Sequence, residues 1–321
     1  MTSEGFAKPW VEFEEEFGER ILLHGPISTC LEAFAELGTK LGSLYTFSAP
    51  DPAVKTEEKT IDGGLKVRIY TPEGYTGGKP VGVYFHGGGW AMGSLDADDP
   101  LCRSISKGGG VVLVSVEYGL APQNEHPGLV NDCFKGLQWT LKSAKELGGV
   151  EGKVFTAGVS AGGNLALGMA LRAIDEGLGD NLVGVIAEVP ATVHPAAVPV
   201  EFKSKYTSMV EHKDHTIDTD SAMLAFWGAF GAPPTDPYAS PLLHPRTKDL
   251  KKVYLTVAGH DTLRDDGLLF KQKLDENEVP NKVDYYEGYP HYHWTWPSKT
   301  LDKPREEYNA NLAKGVQFVV S

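Results

Sequence analysis

A serine between glycines is the first residue whose type and surroundings could do chemistry. Residues 158–162 read G-V-S-A-G, with Ser160 at the centre, between the apolar run Val154–Ala157 and a segment of helical character. On a sharp turn from a buried strand into a helix, a serine hydroxyl is exposed and suited to nucleophilic attack. Because a glycine-rich turn with a capping serine has the same letters, the pattern alone leaves the role of Ser160 open.

A run of glycines offers groups that could stabilise negative charge. The letters H-G-G-G-W begin at His86, directly after the apolar run Val81–Phe85. Backbone N–H groups there are uncovered, so they could hold the oxyanion that forms during acyl transfer. We assign this oxyanion hole to the N–H groups of Gly88, Gly89 and Ala161, and expect His86 to brace the loop. A phosphate-binding loop would need a following Lys-Ser/Thr or a G-x-G-x-x-G helix start, and the sequence has neither.

An acid follows a later apolar run. Asp261 is the first acid after Val253–Ala258, which places it at the edge of an open sheet where active sites form. Asp265 is the alternative, but it lies in the first turn of the next predicted helix, where an acid favours the helix dipole without any catalytic role. We therefore predict Asp261 as the acid.

Two histidines compete for the role of general base. His291 and His293 both follow the short apolar run Val283–Tyr286. Both could also be ordinary members of an aromatic patch. The chain order of serine, acid and histidine is that of a known group of hydrolases, which supports one of them as the base.

Aromatic residues could line an apolar pocket beside these groups. We assign Trp90, Tyr206 and Trp227 to substrate binding and expect about half of the wider aromatic set to be ordinary core. That wider set also includes Phe226, Trp294 and Trp296.

A second histidine group does not have a convincing metal-site pattern. His212, Asp214 and His215 lie within four positions of one another, and we expect them to form a solvated loop. We predict no metal and no cofactor.

The elements that must position these residues alternate between strands and helices. Residues 1–50 are predicted to be helical, with Phe13, Phe17, Ile21 and Leu22 on one face. The letters D-G-G at 62–64 predict a hairpin turn between the first two strands. The predicted strands are Lys55–Ile61, Leu65–Thr71, Val81–Phe85, Val111–Val116, Val154–Ala157, Leu182–Val189, Val253–Ala258 and Val283–Tyr286. The predicted later helices are Leu129–Leu147, Ser160–Glu176, Asp220–Phe230, Leu263–Glu278 and Glu306–Val319.

This alternation predicts an α/β fold with a mostly parallel central sheet and helices on both faces. Residues 194–245 form a long insertion in which strands and helices do not alternate. A long insertion in a compact domain is usually functional. We expect residues 1–50 and this insertion to form a helical cap. The core would then comprise residues 51–193 and 246–321.

The motifs together resemble the hormone-sensitive-lipase-like carboxylesterases of the α/β-hydrolase fold. The resemblance runs from about Val81 to the end of the sequence. It rests on H-G-G-G-W followed by M-G-S-L-D, on G-x-S-A-G-G-N-L-A, on S-P-L at Ser240, on D-x-L-R-D-x-G and on P-H-aromatic at His291. It implies a Ser160–Asp261–His291 catalytic triad without a cofactor, with His293 the poorer match for the base. Three positions depart from the family pattern: Val159, Gly119 and Gln123.

Composition excludes several other classes of protein. The 321 residues carry 30 basic and 43 acidic side chains, a net charge of −13, which argues against nucleic acid or an anionic membrane as a partner. Cys30, Cys102 and Cys133 are too few and too widely spaced for a disulfide framework or a zinc site. Without a signal peptide or a membrane-length apolar run, we expect a cytoplasmic protein, and a homodimer stays open.

These observations predict a serine carboxylesterase for short- to medium-chain esters of small molecules. An amide or lactone hydrolase of a biosynthetic or detoxification pathway would use the same groups, and a non-catalytic small-molecule receptor is the less favoured alternative. For an esterase with a histidine base, we expect activity to fall on the acid side near the ordinary histidine pKa of about 6.5.

Overall fold

A single eight-stranded sheet forms the centre of the molecule in the computed structural model, which describes residues 4–321. The strands lie in the order β1-β2-β4-β3-β5-β6-β7-β8. Strand β2 is antiparallel to both β1 and β4, and the remaining neighbours are parallel. The strands are β1 (Val54–Ile61), β2 (Leu65–Pro72), β3 (Val81–Phe85), β4 (Leu113–Glu117), β5 (Val154–Val159), β6 (Leu182–Glu188), β7 (Val253–Ala258) and β8 (Asn281–Tyr286). The predicted sheet is confirmed, including its antiparallel start.

Helices cover both faces of this sheet. Helices α4, α5 and α8 contribute to one buried apolar cluster, whereas α3 and α9 contribute to the cluster on the other face. The helices in the described chain are α1 (Lys8–Phe17), α2 (Ile27–Leu44), α3 (Asp99–Gly109), α4 (Gly128–Ser143), α5 (Ala161–Asp175), α6 (Ser208–Glu211), α7 (Asp220–Phe230), α8 (Arg264–Glu276) and α9 (Asp302–Val320). None of them is long and apolar enough to cross a bilayer.

The prediction of helix throughout residues 1–50 is wrong in part. Helix α1 ends at Gly18, whose φ of +88° suits a glycine at a helix C-terminus. Ile21 and Leu22 therefore lie on the non-helical segment that leads to α2. Helix α3 was not predicted, although Pro100 in its first turn and the apolar pair Leu101 and Ile105 are typical of one.

The first two helices pack against later parts of the chain. We call the residues of this contact the N-terminal aromatic cluster: Trp10, Phe13, Phe17, Ile21, Leu37, Leu41, Trp296 and Leu301. Helix α2 also contacts α7, which belongs to the insertion. The boundaries of the proposed cap, at residues 50, 193 and 245, stay a prediction.

Candidate active site

Ser160 occupies a strained turn between β5 and α5. Its φ of 55° and ψ of −120° lie where side chains are rarely found, and such strain costs about 1–3 kcal/mol. Its N–H group donates to the Glu188 carbonyl oxygen at 2.7 Å. A Cβ atom on Gly162 would lie 2.0 Å from the Phe85 carbonyl oxygen, and one on Gly158 would lie 2.2 Å from the Gly162 oxygen. The two glycines thus permit the close packing that holds this turn.

The structure brings Ser160, His291 and Asp261 into one hydrogen-bonded line. His291 Nε2 lies 3.0 Å from Ser160 Oγ, and His291 Nδ1 lies 2.6 Å from Asp261 Oδ2. Asp261 Oδ1 accepts a further bond from the Leu263 N–H at 2.7 Å. All three side chains of the line are buried.

The charges of the line favour an ionised acid beside a basic histidine. Burial by itself raises the pKa of Asp261, but the His291 charge and the hydrogen bonds to Asp261 outweigh it and lower that pKa. Burial likewise lowers the pKa of His291. The charge of Asp261 and its hydrogen bond to His291 overcome this and raise it to about 8.

The alternative acid lies elsewhere. Asp265 accepts hydrogen bonds from the N–H groups of Thr207 and Ser208, both at 2.7 Å, and from Arg264 Nε at 2.8 Å. It thereby anchors the insertion to α8. The structure places Asp261, and not Asp265, against the histidine.

The alternative base is enclosed by aromatic rings. The ring of His293 lies 4.4 Å from that of Tyr289 and 5.1 Å from that of Tyr286, measured between centroids. Neither ring nitrogen has a hydrogen-bond partner among the described residues, and burial lowers the pKa of His293 to about 3. His293 is therefore a neutral packing residue at pH 7.

Three backbone N–H groups face the same cleft as Ser160 and His291. The cleft is lined by Gly88, Gly89 and Ala161 along with these two side chains. Within residues 4–321, none of the three N–H groups has a hydrogen-bond acceptor. This arrangement suits an oxyanion hole.

The glycine loop can adopt its conformation only because positions 88 and 89 carry no side chain. Gly88 and Gly89 have φ of +111° and +58°. A Cβ atom on Gly88 would lie 2.4 Å from the Met92 carbonyl oxygen, and one on Gly89 would lie 2.5 Å from the ring of Phe226. Any larger residue would strain the loop or displace its neighbours.

Two side chains brace this loop from below. His86 stacks on Tyr118 with ring centroids 4.1 Å apart, and its Nδ1 lies 2.8 Å from the Gly87 oxygen. Asp98 accepts the Gly87 N–H at 2.9 Å and the Tyr84 hydroxyl at 2.8 Å. The bracing role expected of His86 agrees with these contacts, whereas the role of Asp98 was missed.

The proposed substrate-binding aromatics separate into two groups. Trp90 and Phe226 line the cleft. Tyr206 and Trp227 do not: Tyr206 lies against Asp266, and Trp227 packs behind Trp90 with ring centroids 4.5 Å apart. Neither residue lines the cleft, and their assignment to substrate binding stays a prediction.

Two other tryptophans are core residues. Trp294 stacks on Tyr308 at 3.8 Å between centroids, and Trp296 belongs to the N-terminal aromatic cluster. The remaining apolar wall comes from residues without a distinguishing sequence pattern: Leu23, Met92, Ala191, Ile217 and Met223.

A second buried acid reaches the line from the insertion. Asp218 Oδ2 lies 3.9 Å from His291 Nδ1 and 2.5 Å from Thr262 Oγ1. Asp218 also lines the cleft. No feature of type or spacing distinguished it in the sequence, since it lies in an insertion without a recognisable pattern.

The other histidine group is a packed cluster rather than a solvated loop. His212, His215 and His260 have ring centroids 4.7, 5.1 and 5.0 Å apart. His212 Nδ1 lies 2.9 Å from His215 Nδ1, and Arg264 Nη1 donates to His212 Nε2 at 2.8 Å. Asp214 is not part of the cluster.

The protonation state of His212 leaves neither of its ring nitrogens available to bind a metal ion. Burial and the charge of Arg264 lower the pKa of His212 to about 4, so the ring is neutral at pH 7. Because Nε2 accepts from Arg264, the single proton lies on Nδ1 and is donated to His215. Both nitrogens of His212 are thus occupied by hydrogen bonds.

Comparison with known proteins assigns the family. The family model for the alpha/beta hydrolase fold matches residues 82–295. The chain belongs to the α/β-hydrolase family. Its resemblance to the hormone-sensitive-lipase-like carboxylesterases is confirmed, and the enzyme class of this α/β-hydrolase is carboxylic ester hydrolase.

Relatives of this α/β-hydrolase include named esterases. It is 42% identical over 315 residues to the versiconal hemiacetal acetate esterase of Aspergillus parasiticus, covering 98% of each chain. It is 46% identical over 280 residues to the FAD-linked oxidoreductase pytB of Aspergillus terreus, covering 87% of this chain but only 34% of that protein. Its fold matches the crystal structure of a thermostable esterase from Pseudomonas putida ECU1011 with a TM-score of 0.83 and 25% identity, over 100% of this chain and 99% of the other.

Proposed function

We propose that this α/β-hydrolase is a serine esterase that cleaves short- to medium-chain carboxylic esters, including acetates, through an acyl-enzyme. The observation that carries the proposal is the line Ser160–His291–Asp261 beside three N–H groups that have no acceptor among residues 4–321. Nucleophile, base, orienting acid and oxyanion donors are the four parts that acyl transfer by serine needs.

In the first half-reaction, Ser160 Oγ attacks the ester carbonyl carbon while its proton passes to His291 Nε2. The Nδ1–H of His291 remains bonded to Asp261, whose negative charge stabilises the imidazolium that forms. The carbonyl oxygen becomes negative and accepts hydrogen bonds from Gly88, Gly89 and Ala161. As the intermediate collapses, His291 returns the proton to the leaving alcohol.

The second half-reaction repeats these steps with water. His291 Nε2 takes a proton from water, the resulting hydroxide attacks the acyl carbon, and the same N–H groups hold the oxyanion. The proton then passes to Ser160 Oγ as the carboxylic acid leaves. The enzyme returns to its starting state without any cofactor taking part.

The cleft favours small acyl groups. Its cavity measures about 30 Å³ and its wall is apolar, formed in part by Leu23, Met92, Met223 and Phe226. Each buried CH₂ group contributes about 0.8 kcal/mol to binding, but only while the cavity has room for it. The named substrate of the Aspergillus parasiticus relative, a hemiacetal acetate, agrees with a short acyl group.

The test combines a nucleophile variant with covalent labelling. We expect Ser160→Ala to lose on the order of 10⁶ in kcat on p-nitrophenyl acetate, with Ser43→Ala on the exposed face of α2 as the matched control. An organophosphate should add to Ser160 in the wild type and be found there by mass spectrometry. A folded Ser160→Ala variant that keeps a tenth of the turnover would contradict the proposal.

The alternatives give different outcomes in the same experiment. A small-molecule receptor without an activated serine would stay unlabelled. An amide or lactone hydrolase would be labelled, but it would cleave amides or lactones faster than matched esters. A panel of p-nitrophenyl esters from acetate to palmitate, with one lactone and one anilide, separates these substrate classes.

A further inference from the structure

We propose that Asp218, on the insertion, is a positioning residue for catalysis: it keeps its proton during turnover and donates it as a hydrogen bond to the Asp261 carboxylate. The inference rests on the esterase mechanism proposed above. No bond is made or broken at Asp218, because its proton stays on its own oxygen.

Geometry places Asp218 within the catalytic line. Its side chain is buried, and its Oδ2 lies 3.9 Å from His291 Nδ1. Three side-chain atoms lie within 4.8 Å of one another, one each from Asp218, Asp261 and His291. Asp261 follows β7 of the core, whereas Asp218 lies between α6 and α7. The two acids therefore meet where the insertion covers the core.

The hydrogen-bond donors decide which acid is ionised. Asp261 accepts two N–H bonds, from Leu263 at 2.7 Å and from His291 at 2.6 Å. For Asp218, the described residues supply one donor, the Thr262 hydroxyl, which lies 2.5 Å from Oδ2 and 2.7 Å from the Asp218 carbonyl oxygen. A single hydroxyl proton cannot serve both oxygens. Asp261 is consequently the better site for the negative charge.

A second negative charge at this place would be costly. Two adjacent buried carboxyl groups cannot both ionise readily, and the group with fewer donors keeps the proton. Burial and the charge of Asp261 raise the pKa of Asp218 well above its usual range. Asp218 Oδ1 accepts no hydrogen bond from the described residues, so a negative charge on this carboxyl group would lack a donor to stabilise it.

Among the described residues, the other titratable groups near the pair do not supply a compensating cation other than His291 itself. Those that interact electrostatically with Asp218, Asp261 or His291 lie directly after α6, on α8 and on the turn after β8. They are His212, Asp266, Tyr292 and His293. The charge balance of the site therefore depends on one carboxylate and one histidine, with Asp218 neutral.

This hydrogen bond has two effects on the reaction. It holds the Asp261 carboxylate in the orientation that presents Oδ2 to His291. It also spreads the negative charge of Asp261, which makes His291 less basic than it would be beside an unshared carboxylate. Because the donor belongs to the insertion, both effects require the insertion to be seated over the core.

The test compares Asp218→Asn with Asp218→Leu. Asparagine keeps a donor without charge, so we expect less than about a threefold loss in kcat on p-nitrophenyl acetate and an acid limb of kcat/KM at the wild-type pH. Leucine removes the donor, so we expect at least a tenfold loss in kcat with little change in KM. Its acid limb should move to higher pH, because Asp261 then acts on His291 with its full charge. Asp214→Leu, at an exposed position of the same insertion, is the control.

The direction of the pH shift can overturn the proposal. If Asp218 were ionised, Asp218→Asn would remove a negative charge and move the acid limb to lower pH. If Asp218→Asn and Asp218→Leu had the same kcat, the same KM and an acid limb of kcat/KM at the same pH, this result would also contradict a positioning role.

An NMR titration of the His291 ring separates this proposal from the esterase proposal. It reports the same pKa shifts without turnover, so it remains valid if the natural reaction is not ester hydrolysis. An unlabelled Ser160 in the wild type would contradict the esterase mechanism alone. A downward shift of the His291 titration in Asp218→Asn would contradict the role of Asp218 alone.

Discussion

At the scale of single residues, one backbone angle separates two histidines of similar sequence context. Tyr292, between His291 and His293, has a φ of 59°, in the left-handed region that side chains rarely adopt. His291 points to Ser160, whereas His293 is enclosed by aromatic rings. His291 and His293 therefore have different environments, although they are only two positions apart in the sequence.

The basicity of His291 predicts the pH dependence of activity. A general base must be neutral, and the charge of Asp261 raises the pKa of His291 to about 8 despite burial. We expect kcat/KM for p-nitrophenyl acetate to fall as pH decreases through about 8, rather than near the 6.5 expected from the sequence. His293→Leu should not change the pH at which kcat/KM falls. A wild-type profile that is flat down to pH 6 would contradict the prediction.

Sequence patterns predict those candidate site residues that lie within short motifs. Ser160, Asp261 and His291 each follow a recognisable strand, and their types match the chemistry expected at those positions. Asp218 and Asp98 could not be selected in this way, because their roles depend on contacts across the fold. The ordinary histidine pKa of about 6.5 does not include the effects of burial and neighbouring charges, because these act only in the folded protein.

At the scale of elements, helix α7 forms one wall of the cleft. Phe226 on this helix faces Gly89 and the cavity, whereas Leu224 is 53% exposed on another side of the same helix. The sequence predicted the helix itself from its apolar residues. It cannot show which aromatic faces the cavity, so it assigns Trp227 to substrate binding and Phe226 only to the wider aromatic set.

Shortening Phe226 should change acyl-chain preference. Phe226→Ala makes room beside Gly89, and each additional buried CH₂ group then contributes about 0.8 kcal/mol. We expect the ratio of kcat/KM for p-nitrophenyl octanoate over acetate to rise by about tenfold or more. Leu224→Ala should change this ratio by less than about twofold. An unchanged ratio in Phe226→Ala would mean that another residue limits chain length.

At the scale of the whole molecule, the N-terminal aromatic cluster joins distant parts of the chain. Trp10 is 1% exposed and packs on Phe13 and Trp296, with ring centroids 5.1 and 6.4 Å away. Trp296 lies five residues after His291. The first helix is thereby attached to the segment that carries the proposed base.

Loss of this contact should destabilise the protein. Trp10→Ala should reduce the free energy of unfolding by about 3–5 kcal/mol, the range for removing a buried large aromatic. Phe47→Ala, at a position that is 57% exposed, should change it by less than about 0.5 kcal/mol. Urea unfolding followed by tryptophan fluorescence and circular dichroism measures both variants. A cost below 1 kcal/mol for Trp10→Ala would show that α1 contributes little to the fold.

The same cluster has a consequence for how the chain is made. A ribosome synthesises Trp10 and Phe13 about 285 residues before their partner Trp296. At roughly 5–20 residues per second, helix α1 has to wait about 15–60 s for that partner. Until then, the apolar face of α1 lacks the contact with Trp296 that it has in the folded protein.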